Sequence, residues 1–382
     1  MVLPNTFKIL ENQKLSSFDK SKIHPYFASF HPSIPRTMIE LFTKKNDVIL
    51  DPFCGSGTTL LQSSISLRNS IGLDVNPLAC LISKVRTTKL AEKQLEKKNL
   101  LLKKIEKEIK DFYDNPNNSE KIFNTLEIPS FKNIDNWFKK NVQIELGIIK
   151  KFIDDLDDED FADLCKIAFS SIIVKVSNQS HETQYSRKEK EYHPYDAIIL
   201  FKTKLDYIIN EIKLYTTIEE TKSCKIICHD LKNHVELQTN SIDAIITSPP
   251  YLNAWDYHLY QRFRMFWLGF EPSKLREMEI GAHLTHYQNP NAIDRYSADM
   301  KLCLQNMFNL LKPNKLCGIV IGDSIVHGKI INIGKLLEKI GKDIGFSIEK
   351  NYRQTIFGPH YSLKQKNSTK MESILIFKKI KY

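Results

Sequence analysis

Two short strings carry residue types that could do chemistry. The first is Asp51-Pro52-Phe53-Cys54-Gly55-Ser56-Gly57-Thr58-Thr59. Its glycines let the backbone turn tightly and come close to a ligand. It is not the nicotinamide fingerprint G-x-G-x-x-G, and it has no P-loop lysine. An acidic residue stands at the strand tip instead. That suits a ligand with a positively charged amino group and no phosphate, and S-adenosylmethionine is such a ligand. A plain tight turn between a strand and a helix is the competing reading. It would lead for two glycines alone, but the nine-residue string is more specific. Asp51, Phe53, Gly55, Gly57 and Thr58 are the candidate contacts.

Asp74 and Asp230 extend this set. Asp74 ends a short strand, where a carboxylate can accept ribose hydroxyls, and a helix cap before Pro77 is the alternative. Asp230 follows the strand Lys225–Cys228, where it could accept from an adenine amino group or serve as a turn residue. The second string is Ser248-Pro249-Pro250-Tyr251. Two prolines remove two backbone donors and stiffen the chain, leaving carbonyls to accept from a ligand. Ser248 and the Pro249 carbonyl could take both hydrogens of a planar amino group, and Tyr251 could stack on the ring that carries it. In isolation, a proline-stiffened loop explains the string equally well.

The elements around these strings must position them. Ile34–Phe42 has helical spacing. Val48–Leu50 reads as a buried strand, Thr58–Leu67 as a helix and Ser70–Asp74 as a second strand, a βαβ unit that begins a parallel sheet. Glu96–Tyr113, Gln143–Ile153, Phe161–Val176 and Tyr195–Tyr215 read as helices, with no strong strand among them. Strand signals return at Lys225–Cys228, Ala244–Ile246, Leu316–Ile321 and Ser373–Phe377. The expected fold is an α/β, Rossmann-like, doubly wound and mostly parallel sheet with a large helical insertion. Residues 1–85 and 221–382 would form the core, and 86–220 the insertion.

Together the two strings resemble the DNA amino-methyltransferases that modify cytosine at N4 or adenine at N6. The family loop D-P-F-x-G-S-G-T-T matches Asp51–Thr59 without a gap, and its S/D/N-P-P-Y/F tetrapeptide matches Ser248–Tyr251. The resemblance covers about residues 25–85 and 222–380 and leaves 86–220 unexplained. It implies a class I fold, S-adenosylmethionine as cofactor, Asp74 on its ribose and Asp230 on its adenine. It places Ser248, Pro249, Pro250 and Tyr251 on a flipped base in double-stranded DNA. His31–Pro35 and the following helix would close over the methionine end of the cofactor. Within the family, Thr-Ser-Pro-Pro-Tyr looks more like the cytosine-N4 members. A restriction-modification context with a cognate endonuclease follows from the same resemblance.

Composition agrees with this reading without proving it. Lys and Arg exceed Asp and Glu by 55 to 45, a net charge of +10, which suits a polyanionic partner. The seven cysteines include no C-x-x-C pair, so no zinc cluster or disulfide framework is expected. None directly follows a proline, which argues against a cysteine-nucleophile C5 methyltransferase. No apolar run of about 18 residues appears, so a cytoplasmic protein without membrane spans is expected. Ser177–Pro194 reads as an exposed polar and basic loop that could touch DNA. Trp255–Arg264 reads equally as pocket lining or as a packing helix. An RNA amino-methyltransferase and a non-catalytic nucleic-acid-binding module are the competing functions.

Overall fold

A computed structural model describes residues 3–4, 6–7, 23–27, 31–252, 255–282, 289–355 and 371–380. Its strands are β1 (Val48–Asp51), β2 (Asn69–Asp74), β3 (Gln179–His181), β4 (Gln184–Arg187), β5 (Cys224–Cys228) and β6 (Ile242–Thr247), followed by β7 (Leu311–Gly322), β8 (Ser324–Val326), β9 (Lys329–Ile331), β10 (Phe346–Thr355) and β11 (Met371–Lys379). Seven of them form one sheet in the order β10-β11-β7-β6-β1-β2-β5. From β5 to β7 every pairing is parallel, while β7–β11 and β11–β10 are antiparallel. This is the Rossmann-like, mostly parallel sheet expected from the sequence.

The apolar runs of the central strands are continuous because both sheet faces are covered. Ile49, Ala244, Ile246, Leu316, Val320, Ile374 and Ile376 face the helix Ser33–Phe42. Their neighbours Leu50, Ile245, Cys317, Ile319, Leu375 and Phe377 face the helices Ala292–Leu310 and Ile333–Ile344. The outer strand β10 escaped the sequence reading. It pairs only with β11 and carries Glu349, Lys350 and Arg353, charges that suit an edge strand but hide its alternation.

The chain between β2 and β5 is helical over Pro77–Thr87, Glu92–Asp114, Lys140–Asp154, Glu159–Ile172 and Asp196–Thr216. The buried Glu145 carboxylate accepts the Tyr195 and Ala197 backbone N–H groups at 2.7 and 3.0 Å, serving donors at the start of the last helix. Two corrections apply here. Ser177–Pro194 is not a plain loop: β3 and β4 form a two-stranded hairpin within it. The helix read as Phe161–Val176 ends at Ile172 and begins at Glu159, where the Asp158 side chain caps it by accepting from Phe161 N. The hairpin carries no apolar run, so its sequence gave no strand signal.

The helical block is not a separate body. Its core includes Leu78 and Ile82 from the helix after β2, and Phe263 and Trp267 from the segment after the tetrapeptide. Trp267 is 0% exposed, with its ring edge-on to Phe138 and Phe169 at 5.7 and 6.1 Å. Among the described residues, no helix is long and apolar enough to cross a membrane, and no group of three His, Cys, Asp or Glu could hold a metal ion. Trp267→Ala is expected to cost about 3–5 kcal/mol of unfolding free energy. Denaturant melts checking this should show a loss well above 1 kcal/mol; a smaller one would mean the two regions do not share a core.

Candidate active site

β1 and β6 lie side by side and parallel, but the chain leaves them in opposite directions, from β1 to β2 and from β6 to β7. Loops that diverge at such a switch point open a crevice beyond the strand ends. Both chemistry-bearing strings start there. Asp51 closes β1 and Thr247 closes β6, and Thr247 Oγ1 donates to Asp51 Oδ1 at 2.6 Å. Both are buried, at 1% and 0% exposed. Asp51 also accepts from Phe53 N at 3.2 Å. Its carboxylate joins the two loops from behind and does not line the cleft.

The glycine loop is built on a second carboxylate. Asp74, at the end of β2, accepts from Gly55 N and Asn76 N, each at 2.9 Å and each on its own oxygen. Gly57 has φ of +79°, and a Cβ there would stand 2.9 Å from Ser83 Oγ. That position requires glycine on both counts. Thr58 begins the next helix and accepts from Arg86 at 3.3 Å. Gly57 and Thr58 therefore shape the loop from outside the cleft.

The space between atoms in the cleft, its open mouth included, is about 930 Å³. Of the residues named from sequence, the cleft brings together Phe53, Gly55, Asp74, Asp230, Ser248, Pro249, Pro250 and Tyr251. Asp51, Gly57 and Thr58 are absent from its lining. Sequence reasoning missed Tyr26, Leu275, Met278, Glu279 and Ile280, which line it. No spacing pattern ties these residues to either motif. The helix Ser33–Phe42, expected to close over one end, contributes none of the described lining. Its Arg36 instead donates to Gln62 at 2.8 Å, and Tyr26 takes the place beside Gly55.

Charge and ring content define what the cleft can hold. Its described lining carries Asp74, Asp230 and Glu279 and no Lys or Arg. Burial pushes the Asp51 and Asp74 carboxyls up to about 6 despite the bonds they accept. Tyr26 and Tyr257 stack at 5.3 Å between centroids, and Trp255 stacks on Phe27 at 5.7 Å. Such a cleft favours a cation with flat apolar parts and rejects phosphate.

The tetrapeptide is held by polar contacts. The Tyr251 hydroxyl donates to Glu372 Oε1 on β11 at 3.3 Å. Tyr296 donates to the Pro250 carbonyl at 2.9 Å. The following segment divides by face. Trp255 and Tyr257 line the cleft, whereas Arg264 is 0% exposed, donates to the Ser170 carbonyl at 3.0 Å and pairs with Glu182 in the hairpin. Arg264 is thus a structural anchor and no phosphate contact.

Residues 4–85 match the family model described as DNA methylase, with N6 and N4 in its name. The chain is 27% identical to the Type II methyltransferase M.MjaII of Methanocaldococcus jannaschii, over 79% of this chain and 71% of that one. It is 27% identical to the Type II methyltransferase M.BsoBI of Geobacillus stearothermophilus, over 89% of this chain and 82% of that one. A tRNA (guanine(10)-N2)-dimethyltransferase of M. jannaschii is 33% identical, but over only 20% of this chain and 24% of its own. Similarity that spans most of the chain is thus to Type II methyltransferases, and the family model that its residues 4–85 match is that of DNA methylases.

Proposed function

We propose that this DNA methyltransferase moves the methyl group of S-adenosylmethionine to the exocyclic amino group of a flipped base in double-stranded DNA. We further propose cytosine N4 over adenine N6 as its target, in a restriction-modification system with a cognate endonuclease. The observation that carries this reading is the single cleft lined by both the glycine loop and Ser-Pro-Pro-Tyr, joined behind by the Asp51–Thr247 bond. The fit to the cofactor rests on charge. S-adenosylmethionine carries a sulfonium and an ammonium, and the cleft offers three carboxylates, aromatic walls and no Lys or Arg among its described lining.

When bound, the cofactor supplies an electrophilic methyl group. The protein's part is to place a weak nucleophile in line with it. The Ser248 hydroxyl oxygen has lone pairs that can accept an amino hydrogen. Pro249 has no backbone N–H, and its carbonyl can accept the second hydrogen. Tyr251, held by Glu372 and packed against Gly322, keeps its ring in the cleft wall. A base inside a duplex cannot reach such a cleft, so it must swing out of the stack. Ser248 is neutral, and the resemblance of Thr247–Tyr251 to cytosine-N4 enzymes supports that base.

The insertion contributes the DNA contact. His181, Gln184, Arg187 and Lys188 are exposed on or beside the hairpin. The Arg264–Glu182 pair ties that hairpin to the segment that follows the base loop. A two-stranded ribbon fits the major groove. The RNA alternative draws only on the short tRNA-enzyme match, and a non-catalytic role leaves the shared cleft without a purpose.

Three outcomes are expected. Mass spectrometry of nucleosides from DNA treated with the wild type should find N4-methylcytosine. N6-methyladenine alone would overturn the base choice, and methylated RNA without methylated DNA would overturn the substrate. In the same assay, Ser248→Ala should lower kcat by roughly 10-fold while leaving cofactor affinity near wild type. Arg187→Ala with Lys188→Ala should weaken DNA binding and reduce the slope of log K against log salt by about 1–2. An unaltered slope would take the hairpin off the DNA.

A fourth outcome concerns pH. Asp51 and Asp74 have folded-state pKa values above their unfolded ones, so their ionisation removes stability from the free protein as pH rises from 3.8 towards about 6. Cofactor hydroxyls need Asp74 ionised, so binding should strengthen through the same window. Affinity by calorimetry should fall about 10-fold between about pH 7 and about pH 5. Affinity that holds or rises on acidification would remove Asp74 from the cofactor.

A further inference from the structure

Leu275, Met278, Glu279 and Ile280 line the cleft although they follow the base loop and belong to neither motif. Three contacts fix the path of this strap. Lys232 lies 3.6 Å from Asp230 and donates from Nζ to the Met278 carbonyl at 3.2 Å. Glu279 accepts the His258 backbone N–H at 2.8 Å on one oxygen and meets His258 Nδ1 at 2.5 Å with the other. Gly281, at φ +73°, lies on the base loop, where a Cβ would stand 2.9 Å from the Tyr251 carbonyl oxygen.

The sheet order then decides what lies between those ends. Met278 is tied beyond β5 and Gly281 beyond β6, and the strands between are β2 and β1. Glu279 and Ile280 therefore cross the region where Asp74 closes β2 and β1 enters the glycine loop. The Glu279 side chain is 7% exposed, and its charge is one of the influences that raise Asp74. Two such carboxylates at one cleft repel each other and are poorly solvated unless a ligand brings donors. Each Glu279 oxygen keeps a lone pair beyond its bond to His258, and each Asp74 oxygen keeps one beyond its backbone bond. A ribose presents two adjacent hydroxyl donors. Leu275, Met278 and Ile280, with Val75 and Leu231, supply apolar lining for a flat ring next to it.

We propose that Glu279 is a second carboxylate of the nucleoside site, accepting a ribose hydroxyl of the cofactor alongside Asp74, with Leu275, Met278 and Ile280 covering its purine. This rests on the reading that S-adenosylmethionine occupies the cleft. His258 acts as a positioning residue that holds the carboxylate. The nucleoside site is then incomplete without the segment that packs on the base loop, which links cofactor binding to the placement of the target base.

The test is calorimetry on the full chain with 5′-methylthioadenosine, which has the ribose and adenine but no amino-acid part, and with its 2′-deoxy and 3′-deoxy forms. Glu279→Gln keeps the shape and an acceptor for the His258 N–H. It should weaken the ribo compound by about 10-fold and one deoxy form far less, so that one ribo-to-deoxy preference collapses. Equal losses for all three ligands, or both preferences unchanged, would make Glu279 a structural cap and overturn the proposal. If Glu279→Gln does not fold, Glu279→Asp, which withdraws the carboxylate by one methylene, is held to the same two outcomes. A wild type that binds none of the three nucleosides would remove the S-adenosylmethionine reading and this proposal with it. Binding by the wild type with unchanged preferences in the variant would remove this proposal alone.

Discussion

The hydrogen bond from Thr247 to Asp51 is the constraint on which the site depends. It closes the ends of two adjacent parallel strands in a place that water does not reach. A buried carboxylate is costly unless it is bonded, and here its partners are a hydroxyl from one strand end and an N–H from the glycine loop. The bond therefore sets the spacing between the two loops without exposing either residue to ligand. Loops held by their own contacts alone would drift, and a displacement of about 1 Å in a methyl-transfer geometry is expensive.

Around that point, each part of the cleft is held by an element distant in sequence. The glycine loop is fixed by Asp74 from β2, and the Ser-Pro-Pro-Tyr loop by Glu372 from β11 and Tyr296 from a helix. The roof comes from residues near the N-terminus, where Tyr26 stacks on Tyr257 and the Tyr257 hydroxyl donates to the Phe27 carbonyl at 3.0 Å. His24, in the same segment, meets Ser170 of the helical block at 2.9 Å. Sheet and roof thus meet at the cleft, and the insertion packs against the roof segment away from it.

The insertion is built into the fold through a shared core. Its core runs without a break into Phe263 and Trp267 behind the base loop. Arg264 spans the junction, with its stem buried, one nitrogen on the Ser170 carbonyl and another on Glu182 of the hairpin. A guanidinium has five donors in a rigid fork, which lets one side chain tie several backbones together. A basic residue in an aromatic-rich string can therefore be an anchor, and the string itself does not reveal which.

The sequence by itself determined the parallel core and both motifs. Val48–Leu50, Ala244–Ile246 and Leu316–Ile321 are runs of apolar residues that only a strand buried on both faces needs, and Asp51–Thr59 and Ser248–Tyr251 are local strings whose spacing is their signal. Tertiary structure decided which members of those strings line the cleft. Asp51, Gly57 and Thr58 lie next to Phe53 and Gly55 in the chain, yet they face the protein, because Thr247, Ser83 and Arg86 from other elements meet them there. It also decided the far wall, where Tyr26 and Glu279 come from segments with no motif. The polar hairpin β3–β4 and the charged edge strand β10 were invisible for a related reason. Their pairing is made by backbone bonds and cross-strand contacts such as Ser180–Ser186, and those do not write a hydrophobic period into the chain.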